Sequence, residues 1–101
     1  MHLTKRKLDR VLQVVAENFM LSVDDLKGRS RKQRVVDARA AFVRLMSHEF
    51  DMPVRISAEA LSRTHYMGTH YSNIGDQMID DRMWRSAYSE CVYQATKGRS
   101  E

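Results

Sequence analysis

Arginine and lysine are concentrated between Lys27 and Arg44, a stretch in which Asp37 is the one acidic residue. The cations of this stretch, which we call the basic segment, are Lys27, Arg29, Arg31, Lys32, Arg34, Arg39 and Arg44. Cations at this density can neutralise the phosphates of a duplex, and the release of condensed counterions then favours binding. The alternative interpretation is an ordinary charged surface that contacts only water.

A second group of polar residues follows a tight turn predicted at Ser62 and Arg63. Thr64 can cap a helix there. The first turns of that helix would expose His65, Tyr66, Thr69 and His70. A recognition helix contacts base edges from such positions, and Met67 there can touch a thymine methyl group. The alternative is an ordinary surface helix whose histidines are incidental.

These two groups define the predicted binding residues. The basic residues are expected on phosphates, and Arg63 on a phosphate or a guanine edge. The helix residues are expected on bases or phosphates. The full set is Lys27, Arg29, Arg31, Lys32, Arg34, Arg39, Arg63, Thr64, His65, Tyr66, Met67, Thr69 and His70.

Other chemistries find little support in the residue pattern. The lone cysteine, Cys91, excludes an internal disulfide, and no cysteine and histidine spacing suggests zinc. His65 and His70 are five residues apart and do not share a helix face, so no metal is expected. No nucleophile with a base and no glycine-rich phosphate loop can be assembled. We therefore expect neither an enzyme nor a cofactor, and no small-molecule substrate.

The composition bounds the scaffold that must position these residues. With 101 residues the chain is long enough for one domain with one core. It is 43% hydrophobic and 30% charged, with four glycines and one proline, which favours a compact helical fold. The net charge of +4 suits a polyanionic partner. No stretch reaches the length of a membrane span, so we expect a cytoplasmic protein without membrane contact.

Hydrophobic periodicity predicts about six helices. The first runs from a Thr4 cap to Phe19, the second over Val23 to Lys27 behind a Ser22 and Asp25 capping box, and the third through Phe50. A fourth begins at Pro53, or later at a Ser57 cap, and ends near Leu61. The fifth begins after Thr64, with Gly75 ending or loosening it. The sixth begins at Asp80 or Asp81, and residues 97–101 are expected to fray. The predicted apolar face of the sixth helix is Met83, Trp84, Ala87, Tyr88, Cys91, Val92 and Ala95.

Two motifs resemble the C-terminal DNA-binding domain of the bacterial replication initiator DnaA. The first is VDDLK at 23–27 followed by RSRKQRVVDAR at 29–39, and the second is RTHYMGTHY at 63–71. The likeness extends from about Leu8 to Ala95. It implies an all-α, Trp-repressor-like bundle with a helix-turn-helix. It also implies that Arg31 enters the minor groove, Arg39 contacts the DNA backbone and His65 contacts a base or phosphate.

The second motif departs from the family in ways that bear on specificity. Thr64 replaces an aspartate but still caps a helix, whereas Tyr66 and Met67 replace two threonines and cannot repeat their contacts. The resemblance therefore implies a target sequence different from the usual family site. Gly68 replaces a valine, which is expected to remove an apolar anchor and loosen the helix.

The sequence thus predicts a single DNA-binding domain that recognises specific double-stranded sites as a transcription or replication regulator of bacterial or phage origin. Such a protein would be associated with the nucleoid, with other regulatory or replication proteins as further partners. The alternative is a non-specific DNA-binding or protein-interaction adaptor, for example in DNA packaging or assembly.

Overall fold

The computed structural model describes residues 4–97, and this part of the chain folds into six α-helices. They are α1 (Lys5–Asn18), α2 (Val23–Lys27), α3 (Gln33–Phe50), α4 (Val54–Ala60), α5 (His65–Met78) and α6 (Arg82–Thr96). The predicted all-α bundle is therefore confirmed. Residues 97–101 were expected to fray, and those beyond residue 97 lie outside the described residues.

Side-chain caps fix several helix starts. The Thr4 hydroxyl accepts a hydrogen bond from the Lys7 amide at 3.2 Å, and Asp81 accepts from the Trp84 amide at 2.9 Å. At α2 the Ser22 and Asp25 side chains each accept from the other's amide, completing the predicted capping box. These bonds from Ser22 hold the pKa of Asp25 below its usual value. The caps at Thr4 and Ser22 agree with the prediction, and of the two alternatives for the last helix, Asp80 and Asp81, it is Asp81 that caps it.

Helix α3 is the centre of the bundle, because it packs against all five other helices. Phe42, Val43, Leu45 and Met46 are completely buried in its middle turns. Small residues at Ala38, Ala40 and Ala41 are buried as well. A helix surrounded in this way needs apolar residues on most of its circumference, which explains the density of apolar residues after Val35.

Helix α6 places most of its predicted apolar face in the core. The Trp84 and Tyr88 rings stack at 4.9 Å, and the Trp84 indole N–H donates to the Asp37 carbonyl at 3.0 Å. Burial raises the pKa of Tyr88 and of the Cys91 thiol to about 12. Met83 was predicted on this face but is 83% exposed, because it lies outside the stripe of α6 that packs against α1 and α3.

The connections around α4 settle where this helix begins and test the turn predicted after it. Asp51 ends α3 in the left-handed region with φ of 52°, and α4 then begins directly from Pro53. The alternative start at Ser57 is wrong, because that residue is completely buried within α4. The predicted turn after α4 is confirmed: Ser62 has φ of 59°, and the Arg63 amide donates to the Ala58 carbonyl at 2.8 Å.

Glycine contributes to the packing of α5 by its lack of a side chain. A Cβ atom on Gly68 would lie 2.6 Å from Val54 Cγ1 and 2.9 Å from Ala58 Cβ. Gly68 therefore lets α5 approach α4 closely, and the expectation that it removes an anchor is corrected. Gly75 does not end α5 either, because the helix continues to Met78 with Gly75 buried against α3.

Within residues 4–97, no helix combines the length and the apolar character that crossing a bilayer requires.

We predict that Gly68→Val lowers the free energy of unfolding by about 1–3 kcal/mol, the range typical of overpacked cores. The added side chain would overlap Val54 and Ala58. The control is Thr69→Val, which adds the same residue type at the next, exposed position and should change stability by no more than about 0.5 kcal/mol. Urea denaturation of both variants measures the difference. Equal stability of the two variants would show that α4 and α5 are not in close contact.

Candidate nucleic-acid interface

Arg39 lies in the interior, with 1% of its surface exposed. Its Nε donates to the Leu26 carbonyl at 2.9 Å, and its Nη1 donates to the Ser30 carbonyl at 2.7 Å. Nη1 also lies 3.3 Å from the Tyr71 hydroxyl, and Nη2 lies 2.8 Å from the Gly28 carbonyl. A further bond of 3.2 Å joins Nη2 to the carbonyl of Asp25. This guanidinium is consequently engaged on all sides.

The placement corrects the predicted role of Arg39. A DNA phosphate cannot reach a guanidinium whose five N–H groups are already directed at acceptors inside the protein. The acceptors belong to the end of α2, the following loop and α5. Because the carbonyls at a helix C-terminus carry partial negative charge, the end of α2 suits a buried cation. From the protein interior, Arg39 thus stabilises the positions of the loop and of α5 through these hydrogen bonds.

Arg63 connects the same loop to the turn before α5. Its Nη2 donates to the Gly28 carbonyl, the oxygen that Arg39 also uses, and its Nη1 lies 3.1 Å from the Leu61 carbonyl. Weaker contacts of 3.4 Å reach the Lys27 and Ser62 carbonyls. The side chain is half-buried rather than fully exposed. The structure therefore places Arg63 at the edge of the predicted surface, with its guanidinium directed at backbone carbonyls.

Five other predicted cations extend into solvent. None of them forms a salt bridge or side-chain hydrogen bond with any residue in 4–97. They are Lys27, Arg29, Arg31, Lys32 and Arg34. The loop that carries most of them is shaped locally by the Ser30 hydroxyl, which accepts from the Lys32 amide at 3.2 Å. Arg44, at the far end of the basic segment, instead pairs with Asp76 of α5.

The predicted polar face of α5 is also exposed. Helical periodicity places Thr69 and Tyr66 in the middle of this face and His65 and His70 at its two opposite edges. Tyr66 is 78% exposed, an unusual position for a large ring. Thr64 is exposed and caps the helix through the Met67 amide at 3.4 Å. Met67 itself is half-buried and packs against the core, so it lies beside this face and not on it.

Residues 28–32, which connect α2 to α3, form what we call the basic loop. A cleft of about 510 Å³ separates the basic loop from α5. Arg29, Arg31 and Arg63 line one part of the cleft, and His70 lines another. Its remaining walls include the half-buried Val36 and Met67 and the buried Tyr71 and Arg39. The fold therefore brings the two halves of the sequence prediction together on one surface, although they are more than 30 residues apart in the chain.

Asn73 is an exposed residue that the sequence prediction did not include in the site. It lies one turn beyond Thr69 on the same side of α5. Asparagine can form a bidentate contact with adenine, so its chemistry fits the neighbouring residues. The four-residue spacing from Thr69 was the signal that could have identified it.

We predict that Arg39→Met lowers the free energy of unfolding by about 3 kcal/mol or more, because it leaves buried carbonyls without donors. Arg34→Met is the matched control, an arginine in the same helix that is exposed and should cost no more than about 0.5 kcal/mol. Thermal and urea denaturation measure both changes. If the two variants lose the same stability, Arg39 does not have the structural role described.

The comparisons with known proteins agree with part of the resemblance. Over 56 residues, 54% of this chain, the sequence is 41% identical to the chromosomal replication initiator protein DnaA of Crocosphaera subtropica (strain ATCC 51142 / BH68). The match covers 12% of that protein's length. No protein-family profile matches the chain, and no solved structure matches it. Part of this chain is therefore similar to a limited part of a replication initiator.

Proposed function

We propose that this protein binds double-stranded DNA through the surface formed by the basic loop and α5. One observation carries the proposal: five cations that form no salt bridge or side-chain hydrogen bond with residues 4–97 lie on or beside one loop, and two of them, Arg29 and Arg31, line a cleft together with His70 of the exposed polar face of α5. Cations left unpaired by the fold are available for phosphates, and polar side chains on a helix are available for bases. The similarity of part of the chain to a replication initiator supports the same conclusion.

In this proposal α4 and α5 form a helix-turn-helix, and α5 is the helix that enters the major groove. The turn of residues 61–64 has the length typical of the motif. Tyr66 at the start of α5 is exposed and accessible to a base or phosphate, and His65 and Thr69 lie beside it. Asn73 extends this face by one turn. The Gly68 contact with α4 fixes the angle at which the face is presented.

The basic loop contacts the neighbouring part of the duplex in this proposal. With α5 in the major groove, a loop across the cleft would reach the adjacent minor groove, which Arg31 would enter. Lys27, Arg29, Lys32 and Arg34 would then hold phosphates. Neutralising about five phosphates predicts that log K falls with log salt concentration with a slope of roughly −4 to −5. The half-buried Val36 and Met67 in the cleft would contact the deoxyriboses of the strand between the two grooves.

The same surface and the partial similarity to a replication initiator support a proposal for the biological role. We propose recognition of specific DNA sites in the control of replication or transcription in a bacterium or phage, by a cytoplasmic protein that acts with other regulatory or replication proteins. The proposal includes no catalytic step. The alternative is a non-specific DNA-binding or assembly adaptor. It is favoured by one observation, since the five exposed cations would contact the backbone of any sequence.

Selection of bound duplexes from a random pool, carried out at two salt concentrations, distinguishes these functions. Enrichment of a short motif at both concentrations is the expected result. Strong retention without a motif, with a steep salt dependence, would favour the non-specific adaptor. Failure to retain any duplex at low salt would contradict DNA binding altogether.

We predict that Tyr66→Ala weakens binding to the selected duplex by about 1–3 kcal/mol, with little change on a random duplex, because Tyr66 contacts bases. Arg31→Ala should also weaken binding to the selected site. Lys32→Ala should weaken both duplexes alike and make the salt slope shallower by about 1, because it contacts a phosphate. Fluorescence anisotropy measures all three variants. Equal losses on both duplexes for Tyr66→Ala would count against its role in reading bases.

A further inference from the structure

A second concentration of unpaired cations lies on α1. Lys5, Arg6 and Lys7 occupy its first turn, are exposed, and form no salt bridge or side-chain hydrogen bond with the residues described. Arg10 follows on the next turn, where its Nη2 lies 3.4 Å from the Gln94 carbonyl of α6. The N-terminus of a helix carries partial positive charge, so cations in the first turn are locally unfavourable. An anionic partner would remove this unfavourable interaction.

Three of these cations border a groove of about 740 Å³ between α1 and α6. Arg6 and Arg10 are one helical turn apart on the same side of α1 and both line it, as does Lys7. Glu17 and Glu90 line it too, and each accepts a hydrogen bond from a glutamine on its own helix, at 3.0 and 2.9 Å. The groove shares no lining residue with the cleft beside α5. It is therefore a separate surface.

The groove also contains an exposed aromatic ring. Tyr93 of α6 is 62% exposed and lines the groove with Val14 of α1. A ring in this position is accessible for stacking, and a cationic groove with an accessible aromatic ring is the arrangement that holds single-stranded nucleic acid. A duplex has no base available to stack on the ring, because its bases are already stacked and paired. The exposed ring therefore favours an unpaired strand over a duplex.

We infer that the groove between α1 and α6 binds single-stranded nucleic acid. Arg6, Lys7 and Arg10 hold consecutive phosphates, and an unpaired base stacks on Tyr93. This site is independent of the duplex surface, so the protein can hold a duplex and a single strand at the same time.

The test uses the full chain and a fluorescein-labelled thymidine oligonucleotide of about 12 nucleotides, with binding followed by anisotropy. Tyr93→Ala should weaken binding about 5- to 150-fold, whereas Tyr93→Phe keeps the ring and should bind within about twofold of the unaltered protein. Arg6→Ala should weaken binding and make the salt slope shallower by about 0.7. Arg82→Ala is the matched control, because it removes an exposed arginine from the first turn of a different helix and should leave binding unchanged.

Several results would overturn the inference. No saturable binding of the oligonucleotide at low salt would do so, as would equal affinity of the Tyr93→Ala and unaltered proteins. Loss of oligonucleotide binding in Tyr66→Ala with retention in Tyr93→Ala would place the strand on α5 instead. Tighter binding of a glutamate peptide of matched charge would identify an acidic protein segment as the occupant. Duplex binding by the same variants is measured separately, so failure of this site is distinguishable from failure of the proposed duplex function.

Discussion

The buried guanidinium of Arg39 is the interaction on which the proposed binding surface depends. It joins the end of α2, the basic loop and α5 through one charged group placed below the surface. No carboxylate is among its acceptors, so its charge is balanced by carbonyl dipoles and the Tyr71 hydroxyl. A buried cation is costly unless every donor is satisfied, and here every N–H group has an acceptor. This requirement permits few alternative positions for the loop.

This constraint explains how a short loop can keep several cations close together. Arg29, Arg31 and Lys32 repel one another, and none of them forms a salt bridge with the residues described. The bonds from Arg39 and Arg63 to the Gly28 carbonyl oppose that repulsion by fixing the loop backbone. The repulsion between the loop cations costs stability at the surface, and the hydrogen bonds beneath the loop offset that cost. This arrangement is common where side chains are kept free for a ligand. Gly68 has a comparable role on the other side of α5, where it sets the contact with α4.

Much of the fold could be predicted from sequence, because caps and periodicity are local signals. Thr4, Ser22, Thr64 and Asp81 each begin a helix as their side chains indicated. The errors concern which side of a helix a residue occupies and how closely two helices approach each other. Arg39 was grouped with the surface cations by its charge, although its spacing of four from Val35 and three from Phe42 places it on a buried side of α3. The role of Gly68 depends on how closely α4 approaches, which no local pattern encodes.

The central claim is that the basic loop and α5 together form the surface that contacts a DNA duplex. The most direct test is a titration of the isotopically labelled protein with a selected duplex, followed by amide chemical shifts in NMR spectra. The account predicts the largest changes in residues 28–32 and 65–73, on the two sides of the cleft. Changes confined to other helices, with both of these segments unaffected at saturation, would contradict it.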